Sequence, residues 1–388
     1  MGVNELLAEI AGIGREPASG GYRRFSFTPV DDELRRWFAA KAADRNLVME
    51  TDNNGNLWAW WGEPQGDGSI ATGSHLDSVP EGGAFDGPLG IASAFAAIDI
   101  LRDRQGLPKR PLAVVAFTEE EGSRFGVACL GSRLLTGAID PESARLLTDR
   151  DGVTFADAFS DAGHDSALIG PEPTRLHGLD AFIELHIEQG RGLVDLDSPI
   201  AIGTSIWPHG RWRLDFAARA DHAGTTRMDD RTDPMPALAE TVIAVTRAAR
   251  QLEARATFGR ILVSPNATNA IPARLSAWLD LRAADDDTLW RLLEAVTADG
   301  VTEESLTPAI GFDPGLIERM SDALSNPPRL PTAAGHDCGI LAMGGIPSAM
   351  LYVRNPTGVS HSPREHAAPQ DCEAGVQALV NVLVGLGI

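Results

Sequence analysis

Three short apolar runs constrain the fold: Ser69-Ile-Ala-Thr-Gly-Ser74, Arg110-Pro-Leu-Ala-Val-Val-Ala-Phe117 and Ala181-Phe-Ile-Glu-Leu-His-Ile187. Each is too short and too uniformly apolar for a surface helix and reads as a strand buried on both faces. Pro88 opens a long apolar segment to about Asp103, which reads as a helix between the first two. Alternating buried strands and helices imply an α/β fold with a mostly parallel central sheet flanked by helices. The first run leads into His75, the second into Glu119-Glu120-Glu121, and the third carries His186 near its end. Open α/β sheets bind ligands beyond the carboxyl ends of their strands, so these three ends mark the working edge.

The surrounding chain divides in two. Residues 31 to 45 repeat apolar positions at helical spacing, and Asn56-Leu-Trp-Ala-Trp-Trp61 alternates like a strand. From 208 to 314 the texture changes. Arg211–Arg219 and Ala273–Arg282 alternate polar and apolar residues as half-exposed antiparallel strands do, while Met235–Arg255 and Asp287–Ala298 read as amphipathic helices. The buried texture returns after Pro314, with helices at Leu316–Leu324 and from about Asp371 to Leu386, and an apolar run at 344–353. The expected organisation is a first domain of residues 1–207 and 315–388, interrupted by an α+β domain with an antiparallel sheet at 208–314. A length of 388 residues also favours two cores over one.

A net charge of −21 argues against nucleic acid or an anionic membrane surface as a partner. No apolar run approaches the roughly 20 residues that span a bilayer. Cys129, Cys338 and Cys372 are too few and wrongly spaced for a disulfide framework or a thiolate zinc site. With an N-terminus that reads as an amphipathic helix rather than an export signal, a reducing cytoplasm is expected.

The chemistry concentrates in Gly73-Ser-His-Leu-Asp-Ser-Val-Pro-Glu-Gly-Gly-Ala-Phe-Asp-Gly87, which places His75, Asp77 and Asp86 in one glycine-rich loop. Imidazole and carboxylate together suit Zn, Mn, Co or Ni, although a polar surface loop has the same composition. His75, Asp86, Glu121, His186 and His361 together make a two-metal site possible, with one carboxylate bridging the ions. Such a site polarises a water and its target carbonyl, and an unmetalled carboxylate must take the proton. The Glu119–Glu121 run offers that spare acid.

Several separate motifs carry a family resemblance: Gly-Ser-His75-Leu-Asp77, Gly-Gly-Ala-Phe-Asp86-Gly, Glu120-Glu121-Gly-Ser-Arg-Phe, Glu-Leu-His186-Ile-Glu-Gln189-Gly, Asp-His222-Ala-Gly-Thr-Thr226, Asn269-Ala-Ile-Pro, Asp-Leu-Arg282, Gly335-His-Asp337 and Ser-His361-Ser. In this order they resemble the amidase/carbamoylase branch of the dinuclear metallopeptidase (M20-like) superfamily. That branch includes N-carbamoyl-L-amino-acid hydrolases, β-ureidopropionases and allantoate amidohydrolases. The resemblance covers nearly the whole chain. It implies two divalent ions, one held by His75 and His186 and the other by Glu121 and His361, with Asp86 as the bridge. It makes Glu120 the base, ahead of Glu119, and Asp77 a carboxylate that orients the active site.

The same resemblance implies that His222 stabilises the oxyanion in a neighbouring subunit, so that a homodimer forms through the inserted domain. Asn269 and Arg282 would bind the substrate carboxylate, Gln189 the ureido group, and the loop at Gly358 would contribute backbone contacts. In the related peptidases an acidic residue commonly stands where His186 stands here, which moves the expected substrate from a peptide to a small ureido acid. The expected activity is removal of the carbamoyl group from an N-carbamoyl-L-amino acid. An allantoate amidohydrolase is the alternative, then an aminoacylase or peptidase, and outside catalysis a ligand-binding protein on the same fold. Thr357-Gly358-Val359, Arg227 and Trp207-Pro-His-Gly-Arg-Trp212 depart from the pattern around the expected substrate pocket.

Overall fold

A computed structural model describes residues 1–64, 67–296, 298 and 300–388. The chain forms two compact units, Met1–Thr204 with Gly311–Ile388, and Ser205–Ile310.

The larger unit is built on a nine-stranded sheet whose centre is parallel. Strand Ser69–His75 lies between Leu112–Phe117 and Leu179–Ile187, and Ser348–Val353 runs parallel to Leu179–Ile187 on its far side. All four are almost wholly buried, as their near-continuous apolar composition requires of a sheet covered on both faces. Leu57–Trp61, the expected strand, pairs antiparallel with Leu112–Phe117 and is buried at every position. Helices Pro88–Gln105 and Pro369–Gly385 pack against each other. The first begins with proline at its first position, which fixes φ where no N–H partner is needed.

Parallel register sets the site. His75 stands opposite Phe117, and Tyr352 opposite His186. The residues that follow these strands therefore emerge at one edge, and the chemistry-bearing side chains of this unit come from that edge.

The smaller unit has a four-stranded antiparallel sheet in which His209–Ala217 pairs with Arg274–Arg282 and with Gly300–Thr307, and Arg255–Ser264 pairs with Arg274–Arg282. Period-two alternation buries Trp212, Leu214 and Phe216 from one strand and Leu275, Ala277, Leu279 and Leu281 from another. These residues pack with Leu238 and Val245 of helix Pro234–Gln251 and with Leu289 and Leu292 of helix Asp286–Leu293. The first helix stops four residues before the expected Arg255, because Glu253 turns left-handed (φ 53°) and a strand begins at Arg255. The second helix, expected from Asp287 to Ala298, spans Asp286–Leu293 and stops five residues early, capped at Glu294. Among the described residues no helix is long and apolar enough to cross a membrane.

Candidate metal centre

Eight of the expected site residues meet at the carboxyl edge of the parallel strands. Asp86 is the hub. Its Oδ1 lies 3.6 Å from His75 Nε2 and 3.1 Å from His186 Nε2, while its Oδ2 lies 3.4 Å from His361 Nε2 and accepts a hydrogen bond from Gln189 Nε2 at 2.9 Å. Glu121 Oε2 is 3.6 Å from His361 Nε2, and Glu120 Oε2 is 3.6 Å from His75 Nε2. Two groups thus share one carboxylate, His75/Asp86/His186 and Asp86/Glu121/His361, each with potential ligand atoms within 4.8 Å of one another.

Both buried rings are held from behind. His75 Nδ1 lies 3.1 Å from the Asp77 carbonyl, and His186 Nδ1 lies 2.8 Å from the Ile187 carbonyl. A carbonyl only accepts, so each ring carries a proton on Nδ1 and turns Nε2 forward toward Asp86. Among the described residues neither Nε2 has a hydrogen-bond partner, and neither has Glu121 Oε1, although all three atoms are buried. Buried polar atoms are rarely left unpaired, so a donor set of orphaned imidazole and carboxylate atoms fits divalent ions.

Charge crowding points the same way. Burial opposes charge on His75, yet Glu120, Asp77 and Asp86 hold its pKa well above the usual imidazole range. Burial likewise works against the Asp86 carboxylate, but His186 and His75 hold its pKa well below the usual range. Glu120 and Glu121 go the other way. Burial first, with Asp337 and Glu121 around Glu120 and with Asp86 beside Glu121, raises both well above ordinary carboxyls.

The three adjacent glutamates separate by geometry. Glu119 is left-handed (φ 54°), and its Oε1 accepts the Arg124 and Phe125 N–H groups at 2.7 Å each, which fixes the following loop. Glu121 turns to His361. Glu120 keeps Oε2 beside His75, and its Oε1 accepts the Cys129 thiol at 3.4 Å. Asp77 sets this arrangement by accepting the Glu120 N–H at 3.2 Å and the Glu121 N–H at 3.1 Å.

Gly87 lies at φ 84°, and a Cβ there would sit 2.5 Å from the His75 ring. Gly87→Ala is therefore expected to lower stability by about 1–3 kcal/mol from backbone strain and to weaken metal uptake by displacing His75. Denaturant unfolding and metal content of the variant check both effects.

The remaining expected residues are placed differently. The Gly358 N–H is engaged within its own loop, donating to the Asn355 carbonyl at 3.1 Å and to Asn355 Oδ1 at 3.2 Å. The Val359 N–H goes to Thr357 Oγ1 at 3.1 Å, so the Thr-Gly-Val departure turns the amides of this loop inward. In this structure the Gly358 amide, expected to contact substrate, is taken up within its own loop.

In the smaller unit, His222 pairs across a two-stranded ribbon with Ala270, next to Asn269, whose carbonyl accepts the Ala223 N–H. His222 Nδ1 accepts the Gly224 and Thr225 N–H groups at 3.0 and 3.1 Å, so its proton is on Nε2. Arg282 is at the other end of strand Arg274–Arg282, eight residues or about 26 Å from Arg274, at the usual strand rise. Its Nε donates to Asp280 Oδ1 at 2.8 Å.

Four buried residues enter the site without an expected role. His336 packs edge-on against His186 with ring centroids 4.5 Å apart, and it belongs to the quoted Gly335-His-Asp337 motif. Glu184, two residues before His186 on the same strand face, accepts from Ser74 Oγ at 2.8 Å and from the Cys338 N–H at 3.0 Å. Asp337 accepts the Ser132 hydroxyl. Glu365 binds the segment that carries Asp86, and no local sequence signal pairs positions 279 apart.

The model of peptidase family M20/M25/M40 matches residues 71–384. The chain is 35% identical to an N-carbamoyl-L-amino acid amidohydrolase of Geobacillus stearothermophilus, over 98% of this chain and 96% of that protein. It is 31% identical to an allantoate amidohydrolase of Bacillus subtilis, over 95% and 93%. A crystal structure of a hydantoinase/carbamoylase family amidase from Burkholderia vietnamiensis superposes with a TM-score of 0.87 at 28% identity, covering 99% of this chain and 96% of the other.

Proposed function

The chain belongs to peptidase family M20/M25/M40 and is a hydrolase of amide C–N bonds, and from that premise we propose that it removes the carbamoyl group from N-carbamoyl-L-amino acids. The products would be the amino acid, ammonia and carbon dioxide. The observation that carries this reading is His186: an imidazole, not the acid common in related peptidases, faces Asp86 at 3.1 Å and stands three residues before Gln189.

Two divalent ions of the Zn, Mn, Co or Ni type, held by His75, Asp86 and His186 and by Asp86, Glu121 and His361, would supply Lewis acidity for water and for the ureido carbonyl. The protein's own groups do the rest. Glu120 takes the proton of the attacking water and returns it to the leaving amine; its burial raises its carboxyl pKa above that of a solvated one. Asp77 fixes the Glu120 and Glu121 backbone. Gln189 offers its amide to the ureido group and Arg282 its guanidinium to the amino-acid carboxylate.

His222, with its proton on Nε2, donates to the developing oxyanion, and Asn269 accompanies it on the ribbon. Since both stand about a strand length from Arg282, one substrate would meet all three only if two copies contribute. This supports a homodimer through the smaller unit. Three buried free cysteines suit a reducing cytoplasm.

A second reading, allantoate amidohydrolase, is favoured by the similarity to the Bacillus subtilis enzyme. Ammonia release by metal-supplemented protein from N-carbamoyl-L-amino acids, allantoate and, for comparison, amine release from N-acyl amino acids separates the cases. The highest kcat/KM is expected on an N-carbamoyl-L-amino acid. Preference for allantoate would select the second reading, and hydrolysis confined to N-acyl amino acids would overturn both.

A further inference from the structure

Glu365 is buried (5% exposed) and has no place in the chemistry above. One of its oxygens, Oε1, accepts the Phe85 N–H at 2.9 Å and the Asp86 N–H at 3.0 Å. The other, Oε2, lies 3.0 Å from Ser360 Oγ, and that hydroxyl lies 3.1 Å from Asp86 Oδ2. Glu365 therefore ties the backbone and the side chain of the shared carboxylate to the residue that precedes His361. Gly83 makes room for it, since a Cβ there would stand 2.2 Å from Glu365 Oε1.

The two halves of the centre depend on this tie unequally. His75 and His186 are buried, and their Nδ1 atoms are set by the Asp77 and Ile187 carbonyls, with no involvement of Glu365. His361 is half-exposed (51%) on a left-handed backbone (φ 52°), and Asp86 Oδ2 on the same side is oriented through Ser360. Resting on the two-ion reading above, we propose that Glu365 is the positioning residue for the Glu121/His361 ion, so that this ion is retained only while Glu365 clamps the Asp86 segment to the His361 loop. The His75/His186 ion keeps both imidazole ligands without the clamp and shares only Asp86 with it.

Metal per chain, measured by mass spectrometry on full-length protein loaded with Mn²⁺ and dialysed, together with Mn²⁺ titration by calorimetry, tests this without reference to turnover. Wild type is expected to hold two ions. Glu365→Ala is expected to hold one, with the weaker dissociation constant raised about 10–100-fold and the tighter one unchanged. Glu365→Gln should restore the second ion. Its carbonyl oxygen accepts both backbone N–H groups, and its amide donates to Ser360, leaving the hydroxyl proton for Asp86. This rescue separates positioning from mere space filling.

If Glu365→Ala does not fold, as judged by circular dichroism of the metal-free protein, Ser360→Ala carries the test and is expected to weaken the same ion alone. Two ions at wild-type affinity in the alanine variant, parallel loss of both, or a glutamine variant no better than alanine overturns the proposal while leaving the two-ion reading intact. Absence of any bound ion in wild type overturns that reading and this proposal with it.

Discussion

Glu120→Gln is expected to give a folded protein with wild-type metal content whose turnover falls by about 10²–10⁴-fold, the usual contribution of a positioned general base. The substitution keeps the volume and an oxygen able to accept the Cys129 thiol, and it removes only the capacity to take a proton. Neither Glu119 nor Glu121 can replace it. Glu119 Oε1 is bound to the Arg124 and Phe125 amides, and Glu121 faces His361. Steady-state kinetics beside metal analysis makes the comparison, and unchanged kcat would exclude Glu120 as the base.

Asp86→Ala is expected to be more severe, with turnover at the uncatalysed background and both ions weakened together. The reason is the division of its oxygens: Oδ1 faces His75 and His186 while Oδ2 faces His361. No other residue stands in both three-residue groups that share this edge. The variant also leaves His75 without one of the carboxylates that hold its pKa up. Metal analysis that found one ion retained at full affinity would refute the shared-ligand arrangement. This outcome differs from that expected for Glu365→Ala, in which only one ion is affected.

The parallel core, and the residues that gather at its edge, were legible because each strand end carries its own short motif. Apolar runs with buried patterns located the strands, and the residues just past them were the polar ones. What escaped was pairing at a distance. Nothing local in Arg364-Glu365-His366 indicates that the acid caps the Phe85 and Asp86 amides. The helix expectation ran on to Arg255, the first residue of strand Arg255–Ser264, because a single left-handed residue, Glu253, ends that helix, and periodicity does not report φ. Gly358 was placed by the family resemblance, and its amide is set by Asn355, a side chain with three acceptor contacts in the loop. Arg282 and Asn269 were grouped by the family resemblance, and strand length separates them.

Gly83 and Gly87 flank Asp86, and a methyl group at either would strike Glu365 or the His75 ring. Neither glycine has a side chain to give to metal or substrate. A gene copy drifting away from hydrolysis could nevertheless keep every ligand and lose its centre through one alanine at these two positions. For sorting working enzymes from decayed ones among related genomes, the positions with no side chain are as diagnostic as those that bind.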